Sequence, residues 1–184
     1  MPATPPLLAR YEERIRQTLT ELGLPVSLAI ERRHSLHLEC EDLVSIGQDQ
    51  AGREQRMERR VAARWQAMRA AAGSEKVVLD VVSAFRSFDY QRQIIARKLA
   101  AGQTVAQILA VSALPGFSEH HSGRAIDIGT PGCPPLTAAF EQTAAFGWLT
   151  RRAQDFGFRL SYPRGNPHGV IFEPWHWVCN ENTA

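Results

Sequence analysis

Two stretches of the chain concentrate side chains that can hold a metal ion. One is Ser118-Glu119-His120-His121-Ser122-Gly123-Arg124-Ala125-Ile126-Asp127, and the other is Glu173-Pro174-Trp175-His176. A catalytic zinc uses three nitrogen or oxygen ligands from the protein and keeps one position open for water. His120, Asp127 and His176 supply two imidazoles and a carboxylate. Bound metal brings the pKa of its water toward ~7, and a nearby carboxylate can then take the proton. Glu173 is suited to that task by its closeness in sequence to His176, and it cannot also be a ligand without closing the open position. Taken singly, each residue has a plainer reading. His176 between two tryptophans reads as a packed ring, and Asp127 as a turn or cap residue. The set of two imidazoles, one aspartate and a spare glutamate is what points to metal-assisted hydrolysis. It carries a geometric condition: along an ideal strand, positions 173 and 176 face opposite sides. Pro174, which cannot donate to a sheet ladder, must bend the chain for the two to converge.

The elements that would position these groups follow from periodicity. Apolar residues at 11, 15, 19 and 22 predict a helix over Tyr11–Leu22, closed by Gly23, after a loose Pro-rich arm over residues 1–10. Residues 25–46 are mixed, with a strand-like alternation around Leu36–Leu38. Met57, Val61, Trp65, Met68 and Ala72 form one apolar stripe, which predicts a helix from about Arg53 to Ala72 with that stripe in the core. Val77–Val82 reads as a buried strand. Helices are expected over Phe88–Ala101, behind Ser87 or Asp89, and over 103–111, with Thr104 as cap. Ala125–Ile128 reads as extended, 136–142 and 147–156 as helical, and Phe158–Tyr162 and Val170–Phe172 as strands. Helices first and short strands later predict an α+β fold with a small, mostly antiparallel sheet packed by helices. Residues 11–184 are expected to form one domain, with a helical part over 11–72 and a catalytic part over 77–178.

Composition excludes several classes. The 184 residues suit one domain with a proper core. Lys and Arg total 21 against 19 Asp and Glu, a net charge of +2, too balanced to call for nucleic acid. The six arginines between Arg53 and Arg69 read as a solvated helix face; the rival reading, a phosphate-binding face, predicts strongly salt-dependent affinity. No apolar run is long enough to span a bilayer. The first residues lack the charged start and apolar stretch of a secretory signal. The expectation is therefore a cytoplasmic protein on the sequence as it stands, and a periplasmic one if a leader has been trimmed. Three cysteines without Cys-x-x-Cys spacing indicate free thiols. There is no phosphate loop and no Gly-rich dinucleotide turn.

The motif Ser118-x-His120-x-x-Gly123-x-Ala125-x-Asp127, followed by Glu173-Pro174-Trp175-His176, resembles the zinc D-alanyl-D-alanine carboxypeptidases of the VanY type. Upstream, Ser83-Ala84-Phe85-Arg86-Ser87-Phe88-Asp89-Tyr90-Gln91 resembles the same family's Ser-x-Tyr-Arg-Ser-x-x-x-Gln stretch, with Phe85 in place of Tyr. The resemblance covers roughly residues 77–178. It implies the compact α+β fold shared by these peptidases and the hedgehog signalling domain. It also implies one zinc ion per chain held by His120, Asp127 and His176, with Glu173 as general base. His120 fits the motif, whereas His121 falls where the family often has Gln and reads as a neighbour of the site. His168 stands where Thr is expected.

The resemblance further implies that Arg86 is the cationic partner of the substrate, stabilising the oxyanion with its planar fork. The plain alternative for Arg86 is a surface ion pair with Asp89. Ser118 and Gln91 are candidates for holding the terminal carboxylate and read equally as caps; Tyr162 is a further candidate substrate contact, and Trp175 and Trp177 read as pocket wall or core, with core the favoured reading. The implied partner is a peptidoglycan stem peptide or muropeptide, acted on by a monomer that trims the terminal D-alanine. Rival readings are an L,D-carboxypeptidase, a lysin-type endopeptidase, and a non-catalytic zinc or cell-wall binding domain. An intact Glu173 argues against the last of these.

Overall fold

The computed structural model describes residues 6–28 and 36–180. The first five residues of the expected arm, and residues 29–35 of the mixed segment, lie outside the described residues. Helix α1 spans Pro6–Glu21 and begins five residues before the apolar periodicity does, so the end of the expected arm is helical. A hairpin follows, β1 (Leu43–Gln48) and β2 (Glu54–Glu58), and leads straight into α2 (Arg59–Ser74). Next come β3 (Asp80–Ser83), α3 (Phe88–Ala100) and α4 (Val105–Ala110). A 3-10 turn at Glu119–Ser122 precedes β4 (Ala125–Gly129). Helix α5 (Ala144–Arg152) lies between 3-10 turns at Ala138–Gln142 and Ala153–Phe156, and β5 (Phe158–Leu160) and β6 (His176–Cys179) close the chain. The architecture is the expected α+β, with a four-stranded antiparallel sheet in the order β3-β4-β6-β5 and the separate hairpin.

Four segments differ from the periodicity reading. Residues 54–58 are a strand, not the first turn of a helix. Met57 is fully buried from the hairpin, so it extends the stripe of Val61, Trp65, Met68 and Ala72 across a strand–helix junction. Glu58 caps that junction, its carboxylate accepting from the Arg60 N–H. Leu36–Leu38 joins no ladder: the His37 N–H donates to the Gly116 carbonyl and the segment runs on as loop. Val170–Phe172 is also loop, whereas His176–Cys179, not anticipated, is a strand. The remaining helices and caps stand within a few residues of expectation. Ser87 accepts from the Tyr90 N–H, and Thr104 forms a capping box with Gln107.

Two cores result. The α2 stripe packs on the inner face of the sheet, with Ile126, Ile128, Trp148, Phe158 and Trp177. Tyr11, Ile15 and Leu19 of α1 pack against Phe88 and Ile95 of α3 and Ile108 of α4. The N-terminal helix, which carries no motif, therefore braces the helix that carries the last four residues of the Ser83–Gln91 motif. Within the arginine run, Arg53, Arg56 and Arg59 pair with Asp49, Glu54 and Asp42. The three cysteines are free thiols. Among the described residues, no helix is long and apolar enough to cross a membrane.

Candidate active site

Sheet register assembles the centre of the site. Antiparallel pairing sets Ser83 opposite Asp127, and Asp127 opposite His176, in one row across β3, β4 and β6. Residues abreast in such a row share a face. Their neighbours Ile126 and Trp177, also paired, point to the other face and enter the core. The alternation thus drives one side of β4 into apolar packing and leaves Asp127 on the site side.

His120 comes from the 3-10 turn. Gly123 ends that turn at φ +69, a left-handed conformation that favours glycine. A Cβ there would lie 2.9 Å from the Glu58 backbone nitrogen, so the motif glycine also lets the hairpin pack against the turn. His120 Nδ1–H donates to the Ala84 carbonyl at 2.6 Å, which leaves the Nε2 lone pair facing Asp127, 3.3 Å from its Oδ2.

The bend required at Pro174 is present. The His176 N–H donates to the Glu173 carbonyl at 3.0 Å, closing a tight turn over Glu173-Pro174-Trp175-His176. Pro at the second turn position has its φ already set. Glu173 and His176 consequently line the same cleft, despite a spacing that a straight strand would send apart.

The atoms His120, Asp127 and His176 can offer lie within 4.8 Å of one another, and all three residues are buried. His176 Nδ1 is 2.9 Å from Asp127 Oδ1, and the two imidazole centroids are 4.9 Å apart. The set favours positive charge: Arg86 Nη2 reaches both His120 Nε2, at 2.6 Å, and Asp127 Oδ2, at 2.7 Å. Two buried imidazoles and a buried carboxylate converging in this way could hold a zinc-type ion, with His120 held from its far nitrogen by the Ala84 carbonyl and His176 by Glu119.

Titration follows the same geometry. Burial works against the Asp127 carboxylate, yet His120, His176 and Arg86 hold its pKa well below the usual range. Burial, reinforced by Arg86, lowers His120 to about 4. His176 goes the other way. Burial disfavours its charged form, but hydrogen bonds to Asp127 and Glu119 raise it to about 10. Burial lifts Glu173 to about 7, into the range where a carboxylate works as a general base near neutrality.

The other sequence-chosen residues fall into three groups. Arg86, Ser118, Tyr162 and Trp175 line the cleft. Arg86 pairs with Asp127, not Asp89, whose partner is Arg14. Ser118 is buried and its hydroxyl caps nothing. Tyr162 stacks on His176 with centroids 4.8 Å apart. Trp175 belongs to both wall and core, whereas Trp177 is core. Gln91 stands behind the wall, fully buried, its amide N–H2 donating to the Ala113 carbonyl at 2.8 Å. His121 is buried beside the site, its Nδ1–H on the Arg86 carbonyl and its Nε2 accepting from the Gly116 N–H. His168 contacts the Tyr162 ring from the loop beyond it.

Four contributors were not anticipated. Glu119 Oε2 sits 2.8 Å from His176 Nε2, and its other oxygen accepts from Ser161 Oγ at 2.8 Å. The Ser83 hydroxyl accepts from Arg86 Nε at 3.1 Å. Lys98 reaches the cleft from α3. Ser83 and Glu119 lie inside the recognised motifs, so position was a signal, but the contacts depend on turn geometry. Lys98 gave no signal beyond lying on the predicted helix.

Fold and site together form a candidate metal centre on an antiparallel α+β scaffold. Residues 54–179, more than half of the chain, match the VanY family, D-alanyl-D-alanine carboxypeptidase, and the chain belongs to that family. It is 35% identical over 111 residues to the putative carboxypeptidase YodJ of Bacillus subtilis, covering 58% of this chain and 40% of that protein. It is 32% identical over 126 residues to the bifunctional D-Ala-D-Ala dipeptidase and carboxypeptidase VanXYC of Enterococcus gallinarum, covering 64% and 63%. The chain therefore spans less than two thirds of either relative. Among solved structures it resembles the LD-carboxypeptidase LdcB, with TM-score 0.68 and 31% identity over 77% of this chain and 69% of that one. It also resembles the D,D-pentapeptidase VanY of a VanB-type resistance cassette in complex with Zn(II), with TM-score 0.59 and 28% identity over 78% and 82%.

Proposed function

We propose that this protein is a zinc carboxypeptidase that removes the terminal D-alanine from peptidoglycan stem peptides, with D,D specificity for a pentapeptide stem. The observation that carries the reading is the turn at Pro174. It sets an intact, burial-raised Glu173 in the same cleft as His120, Asp127 and His176. A pure binding module has no use for a base beside its metal. The zinc-bound VanY neighbour supports the choice of ion.

His120, Asp127 and His176 would hold the ion. When bound, it supplies Lewis-acid polarisation of the scissile carbonyl and acidifies the attacking water. Glu173 takes the proton from that water and returns it to the leaving amine. Arg86 donates to the carbonyl oxygen as negative charge builds on it. Ser83 fixes the guanidinium through Nε, and His120 and Asp127 engage Nη2, so Nη1 is the nitrogen that would reach substrate. Tyr162 and Trp175 wall the pocket. Residues 11–184 act as one domain, since α1 braces α3 from behind.

A second reading rests on the likeness to LdcB: an L,D-carboxypeptidase taking the same D-alanine from a tetrapeptide stem. Incubation of the zinc-loaded protein with tri-, tetra- and pentapeptide stems, read by mass, separates the two. Loss of one alanine from the pentapeptide alone supports D,D specificity. Loss from the tetrapeptide replaces it with L,D. Cleavage inside the stem or of none contradicts the proposal.

A further inference from the structure

The cleft extends well past the metal group, to about 520 Å³, and runs along α3. Tyr90, Ile94 and Lys98, spaced four apart on that helix, present one face to it. Three cations line the cleft: Arg53, Arg86 and Lys98. Arg53 is paired with Asp49 at 2.7 Å, and Arg86 with Asp127 at 2.7 Å. Lys98 is half-buried and, among the described residues, makes no ion pair; its ammonium donates to Ser112 Oγ at 2.7 Å.

We propose that Lys98 receives the free carboxylate at the end of the peptide and thereby determines specificity for a C-terminal acid. This rests on the carboxypeptidase reading above. A terminal carboxylate leaving water for a cleft needs a cation and hydrogen-bond donors to offset its desolvation. At the metal end the ion and Arg86 are taken up by the scissile carbonyl, so the carboxylate one residue further on needs another cation. Arg86 is committed there, and the Gln91 amide is spent on Ala113. The remaining charge of the right sign stands on the wall formed by α3 and residues 111–113. Ser118, with its uncommitted hydroxyl, lies further along the same segment. Lys98 lines the same cleft as Arg86 and Glu173; burial lowers its pKa, with Arg86 adding to the shift and Glu173 opposing it.

The experiment pairs one stem peptide ending in D-alanine with the same peptide ending in D-alanine amide. Lys98→Met keeps an apolar stem of similar length, and Lys98→Arg keeps the charge. For the acid, Lys98→Met raises KM about 10–100-fold, the range expected for one charged hydrogen bond. The amide changes less than about threefold, and Lys98→Arg recovers most of the preference. Equal losses on both peptides, or none, overturn the proposal; equal losses indicate that Lys98 only supports Ser112. Calorimetric binding of the two peptides to Glu173→Gln, with and without Lys98→Met, gives the same comparison without turnover. If the native protein hydrolyses neither peptide, the carboxypeptidase reading fails. Lys98 is then judged by binding alone: acid preference abolished by Lys98→Met sustains it, and its persistence overturns it.

Discussion

The Glu119 carboxylate lies 2.8 Å from Nε2 of His176, so this imidazole turns its Nδ1 toward Asp127 and the centre of the site. Outer partners of this kind fix ring orientation and raise ligand basicity. Glu119→Gln should lower zinc affinity about 10–100-fold while leaving the fold intact. Competition with a chromophoric chelator measures this; unchanged affinity would show that His176 is oriented by packing alone.

The same pair makes metal binding sensitive to pH. Raised to about 10, His176 is protonated in the metal-free protein at neutrality. An incoming ion must displace that proton, so apparent affinity should rise about tenfold per pH unit from neutrality up to about 10. Calorimetry in buffers of different ionisation enthalpy should record about one proton released per ion at pH 7.5. Release of none would mean that His176 is already neutral.

Glu173→Gln should retain zinc and lose about 10²–10⁴ in kcat. Near-normal turnover would remove Glu173 from the role of base.

Activity should have an acid limb. As a general base Glu173 would act only when deprotonated, so the rate should fall as pH drops through its pKa. Burial raises that value from 4.5 to about 7, and the charge of a bound ion brings it back down. The midpoint of kcat should therefore fall between 4.5 and 7. A rate that climbs as pH falls through this window contradicts the assignment.

Arg86→Ala should cost about 10²–10³ in kcat and keep the ion, since Arg86 touches His120 and Asp127 without being a ligand. Metal analysis beside steady-state rates checks both halves.

Much of this arrangement was legible in the sequence because the motifs fix residue types at fixed offsets. His120, Asp127, Glu173 and His176 could be chosen, and Pro174 flagged the bend that brings the last two together. What escaped depends on geometry that periodicity does not encode. Met57 continues the helical stripe to Val61 in spacing, yet it enters the core from a strand, so the hairpin read as helix. Val170–Phe172 has the residue types of a strand, but its Ile171 N–H bonds to the Ala110 carbonyl rather than to a ladder partner. Glu119 occupies a variable place in its motif, and its contact with His176 spans 57 residues. Gln91, by contrast, read as a substrate contact and lies behind the wall, because its helix face turns toward Ala113.

The account turns on one ion shared by residues from three separate elements. Crystals of the zinc-loaded protein measured at the zinc absorption edge test it most directly. One anomalous peak per chain is predicted, within ~2.0–2.2 Å of a nitrogen on each of His120 and His176 and an oxygen of Asp127, and absent from His176→Ala. A peak elsewhere, or its persistence in that variant, would contradict the account.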